Sequence, residues 1–113
     1  VFKMVYDLLL RIFHESRKLD KDFRYSLGEE LKSHLMRVEV CVYHANEEKE
    51  ALRKVDFINE ALERMLEVKL SVRILHDSKQ LSLKKYALLC EQMVEIEKNL
   101  KDWKKYHQNI IKQ

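Results

Sequence analysis

The chain is 113 residues long, enough for one domain with one core. With no Pro, one Gly, 46% apolar and 36% charged residues, it excludes extended disorder and suits long amphipathic helices. Twenty-two Lys and Arg against 19 Asp and Glu leave a formal charge of +3, which neither demands nor excludes a nucleic-acid partner.

Val1, Val5, Leu8, Leu9, Ile12 and Phe13 follow the three-and-four spacing of one helix face, and the pattern fades over Arg17 to Asp22. Lys3, Asp7 and Arg11 break the first apolar stretch well short of the roughly 18 residues of a membrane span, so neither membrane nor signal peptide is expected. Val rather than Met at position 1 implies that a few residues precede it. A second helix is expected from Lys21 to Ser26 onward, with Ser26 and Glu29 placed for a capping box, running through Leu31, Leu35, Val38 and Val42 to about Asn46.

The acidic stretch Glu47 to Glu50 suits the start of a third helix, carried by Val55, Ile58, Leu62, Met65 and Leu66 towards His76. Asp77 to Leu81 is a connection, and Ser82 is a good N-cap for a fourth helix through Leu89, Met93, Ile96, Leu100 and Trp103, fraying from Tyr106. Long helices with short connections fold back on their neighbours. The expected fold is therefore all-α, a single up-and-down antiparallel four-helix bundle over residues 1–113.

On a wheel the third helix is apolar over roughly 200°, twice the stripe one core needs. Phe57, Ala61, Val68, Val72 and Leu75 form the extra arc, either buried between two helices of the same bundle or serving as a homo-oligomer interface. Lys69, Arg73 and His76 interrupt it, where an unpaired charge is costly. Either the long stems reach water or helix-four acids such as Glu97 pair them, or they face an anion such as a nucleic-acid backbone. Lys98, Lys101, Lys104 and Lys105, opposed only by Asp102, complement the dipole at the end of the fourth helix and also suit phosphate. A third basic cluster, Arg17, Lys18, Lys21 and Arg24, is diluted by Asp20 and Asp22.

Cys41 and Cys90 lie mid-helix without CxxC spacing, as expected of buried thiols in a cytoplasmic protein. Cys41 with His44 and His34 lacks a fourth zinc ligand, and no nucleophile, phosphate-loop or HExxH motif occurs, so neither cofactor, metal nor catalysis is expected.

Leu19-Asp20-Lys21-Asp22-Phe23-Arg24-Tyr25-Ser26-Leu27-Gly28 resembles the loop and second-helix start of the accessory variability determinant (Avd) proteins of diversity-generating retroelements, with Lys21, Arg24, Tyr25, Leu27 and Gly28 matching the family's run. The segment from Leu81-Ser82 through Tyr86, Leu89 and Ile96 to Leu100 and Trp103 is similar to the family's last helix. Asp20 replaces the family's Pro, and Lys101-Asp102 replace small residues before the Trp. The resemblance implies a homopentameric barrel of four-helix bundles that binds a reverse transcriptase and its template RNA in mutagenic retrohoming. Lys69, Arg73, Lys21, Arg24 and the Lys98, Lys101, Lys104, Lys105 group are then the expected nucleic-acid or polymerase contacts. The alternative is the related four-helix proteins of ribosomal-RNA intervening sequences, whose Asn-Ile-Ala-Glu-Gly segment is missing here, read as an oligomeric interaction protein that binds no nucleic acid.

Overall fold

A computed structural model describes residues 1–113 as five helices and no strands: α1 Phe2–Ser16, α2 Lys21–Arg24, α3 Leu27–Glu47, α4 Ala51–Asp77 and α5 Leu83–Lys112. α1 packs against α3 and α5, and α4 packs against the same two, so the four long helices surround one core. The particle measures 51 × 22 × 19 Å, and a 30-residue helix rising 1.5 Å per residue accounts for most of its length. The three-and-four spacing fills that core: Val5, Leu8, Leu35, Val38, Ile58, Met65, Ile96 and Leu100 are all essentially inaccessible.

The expected second helix is broken near its start. Ser26 Oγ donates to the Asp22 carbonyl instead of accepting from the first turn of α3, so the capping box with Glu29 does not form and a one-turn helix, α2, stands apart. Gly28 is buried where the end of α2 meets α3: a Cβ there would lie 3.1 Å from the Phe23 carbonyl oxygen and 3.3 Å from Leu19 Cδ1. Close approach, rather than an unusual backbone angle, is the reason for glycine at this position.

The other helix ends are closed by specific hydrogen bonds. Lys54 Nζ donates to the Ala45 carbonyl at 2.7 Å, satisfying one of the open carbonyls at the end of α3. α4 stops in a Schellman turn. Lys79 takes a positive φ of 64°, Gln80 N–H bonds the Leu75 carbonyl at 2.8 Å, and Lys79 N–H bonds that of His76 at 2.9 Å. Gln80 then exchanges two hydrogen bonds with Asp20, tying the α1–α2 connection to the α4–α5 connection.

Ser82 caps α5 as its sequence position predicts, its Oγ accepting from Lys85 N–H at 3.2 Å. Ser82→Ala should cost about 1 kcal/mol, read as a lower urea midpoint at unchanged slope. The end of α5 differs from expectation, since the helix continues past Tyr106 to Lys112. Within this segment His107 meets both Trp103 and Tyr106 edge-on.

Candidate nucleic-acid and assembly surfaces

α4 is apolar almost all round, and flanking helices decide which side is covered. Ala61, Val68, Val72 and Leu75 are buried within their own bundle, and Phe57 is half-buried against the core, stacked on His44. The expectation that this arc joins copies of the chain is therefore corrected. With α3 on one side of α4 and α5 on the other, the arc is consumed inside a single molecule. Leu66, expected in the core, is instead 55% exposed and shares the outer face of α4 with Leu70 and Ile74.

The basic residues that interrupt α4 are partnered locally. Lys69 Nζ donates to Glu97 of α5 at 3.2 Å, the pairing the sequence offered as one alternative. Arg73 reaches Asp77 one turn on, at 3.7 Å and largely in water. His76 stacks on Tyr86 with ring centres 4.2 Å apart. Lys69 and Arg73 line a groove of about 300 Å³ between α4 and α5, together with Leu70, Cys90 and Val94. The groove brings two expected contact residues together, but one is already neutralised by Glu97.

The cluster at the α1–α3 turn separates. Lys21 is exposed, whereas Arg24 is half-buried, donates to the Leu19 carbonyl at 3.2 Å and lies over the Tyr25 ring. Arg24 thus serves the turn itself.

Lys98, Lys101, Lys104 and Lys105 have no acidic partner within 4 Å, in contrast to Lys18, Lys32, Lys69 and Lys85. At 100° per residue Lys98, Lys101 and Lys105 fall on one arc of about 60°, pointing away from the buried Ile96 and Leu100. Trp103, the aromatic among them, turns inward and packs against the core.

The acidic strip of α4 is a seam with α3. Glu60 pairs with Arg37 at 3.1 Å, and Glu67 lies 2.7 Å from His34 Nδ1 and accepts from Arg64 at 3.2 Å. Cys41 sits beside this seam, its thiol pushed up to about 11 by burial and then by the neighbouring Glu60 carboxylate. A thiol so placed stays protonated and unreactive at neutral pH.

Two features have no counterpart in the sequence reading. Phe2, Tyr6 and Leu10 line an outer face of α1, and Phe13, expected on the core stripe with Leu9 and Ile12, is 42% exposed and belongs to this outer arc instead. Glu39 of α3 is the other. It is 9% exposed with both carboxylate oxygens unpartnered, and burial pushes its carboxyl up to about 7 against a weak pull from the N-terminal ammonium.

Comparison of the chain with protein-family models, with curated proteins and with solved structures finds no match.

Proposed function

We propose that the chain is a non-catalytic accessory protein of the Avd kind, a bundle that associates with copies of itself and holds nucleic acid for a reverse transcriptase. The observation that carries this reading is the unpaired lysine strip of α5, four cations in eight residues with one acid among them. Charges left without intramolecular partners are free to replace phosphate counterions, the main source of sequence-independent binding. An up-and-down antiparallel arrangement suits the same reading. It is supported by side-chain contacts whose numbers run in opposite directions along α3 and α4, Arg37 with Glu60 and His34 with Glu67.

The RNA role is tested by fluorescence anisotropy of a labelled single strand titrated at several salt concentrations. The expected slope of log affinity on log salt is about −0.7 for each phosphate contacted, and Lys98→Glu with Lys101→Glu and Lys105→Glu should abolish binding near physiological salt. Lys69→Glu should matter less, since Glu97 already neutralises that position. Absence of binding even at low salt would sink the nucleic-acid role. It would favour the second reading, an interaction protein of the rRNA intervening-sequence kind, which the small net charge and the exposed apolar faces support.

A further inference from the structure

Four exposed lysines stand in one row on α5. Lys112, in the last turn of the helix, falls within the same arc of about 60° as Lys98, Lys101 and Lys105, so the row runs about 21 Å along the axis. None of the four has an acidic partner within 4 Å. Lys104 lies outside the arc and is half-buried.

The row is a single file. On one flank, about 70° round the helix, stand Glu91, Glu95 and Asp102, all exposed and none held by a cation. On the other flank Lys69 is neutralised by Glu97 at 3.2 Å. A duplex carries two rows of phosphates, one on each side of a groove, whereas a single strand carries one. Laid along the lysines, a duplex brings its second row either over bare carboxylates, which repel it, or over a cation already paired, which gains nothing. A single strand follows the file without that cost.

The acidic flank changes character at its far end. One turn beyond Asp102 the acids give way to Tyr106, whose ring is 63% exposed. His107 meets that ring at 5.0 Å and 86°, and is itself set against Trp103, which packs on the core. The phenol ring is thus held outward, next in sequence to Lys105 and about 100° round from it. A phosphate on Lys105 leaves its base within reach of that ring. An aromatic face stacks on any base and adds affinity without reading sequence, but only an unpaired base can swing out to meet it.

We propose that the α5 row binds nucleic acid as a single strand, its backbone along Lys98, Lys101, Lys105 and Lys112 and one base stacked on Tyr106. The proposal rests on the nucleic-acid reading above and narrows its ligand to unpaired strands.

Anisotropy of three labelled ligands tests it: an oligouridine of about ten nucleotides, an abasic sugar-phosphate strand of the same length, and a hairpin duplex of equal charge. Oligouridine should bind tightest, with the other two weaker by about tenfold or more. Tyr106→Ala should weaken oligouridine about tenfold and leave the abasic strand unchanged, which also shows that the variant is folded, and Tyr106→Phe should keep wild-type affinity. The slope of log affinity on log salt for oligouridine should be about −3, roughly −0.7 for each of four lysines, in wild type and Tyr106→Ala alike, because the ring touches no phosphate. A hairpin bound as tightly as oligouridine, or a Tyr106→Ala chain that binds oligouridine like wild type, overturns the single-strand inference and leaves the nucleic-acid role standing. Failure of all three ligands to bind at low salt overturns both.

Discussion

Val68→Asp should leave no folded chain to study, whereas Leu66→Asp and Leu70→Asp should change stability by no more than about 0.5 kcal/mol. Val68 is fully buried in the cluster that also holds Met65, Val72, Met93 and Ile96. A carboxylate there either stays charged without a partner or takes up a proton, and both cost several kcal/mol. A small domain has about 5–15 kcal/mol of stability in total, and the substitution also deletes the packing of a valine. Circular dichroism separates this from the interface expectation, under which Val68→Asp would yield well-folded single copies. A cooperative helical melt in Val68→Asp close to that of wild type would place the residue on the surface and reopen the ring.

Which helices form was legible because each has a regular core stripe, and the start of α5 was legible because Ser82 satisfies a backbone donor that would otherwise be open. The orientation of α4 was not. Its apolar residues run nearly all the way round, so a wheel gives the width of the greasy surface without saying where the neighbours stand. Packing resolves it. The small residues Ala61, Ser71 and Val72 face inward between two close helices, while Leu66 and Leu70 are left outside. The break before α3 was hidden for a different reason: Ser26 has two hydrogen-bonding choices of similar strength, a cap to α3 or a bond back to Asp22. Among the basic residues, sequence supplied the clusters but not their partners. Only the fold shows that Glu97 occupies Lys69 while the α5 strip has nothing opposite. Glu39 gave no signal at all, since one acid beside a helix's apolar stripe is usually solvated.

Glu39→Gln should raise stability at about pH 8 by on the order of 2 kcal/mol and leave it nearly unchanged at about pH 4. The sign follows from where the proton goes. Below the ordinary carboxylate value of 4.5 the group is protonated whether the chain is folded or not, so it adds no penalty. Between 4.5 and about 7 the unfolded chain releases its proton while the folded chain still holds it, and stability falls steadily with rising pH. Above 7 the folded state carries a buried charge with no hydrogen bond to either oxygen, and the full loss remains. Glutamine keeps the shape and is neutral throughout, so the two proteins should diverge across this window in urea titrations at successive pH values. The interval from 4.5 to 7 corresponds to about 3 kcal/mol, and partial relaxation of the side chain towards water brings the expectation down to about 2. An equal gap between the two proteins at both ends of the range would mean that water or a cation already reaches the carboxylate, and that its burial costs the fold nothing.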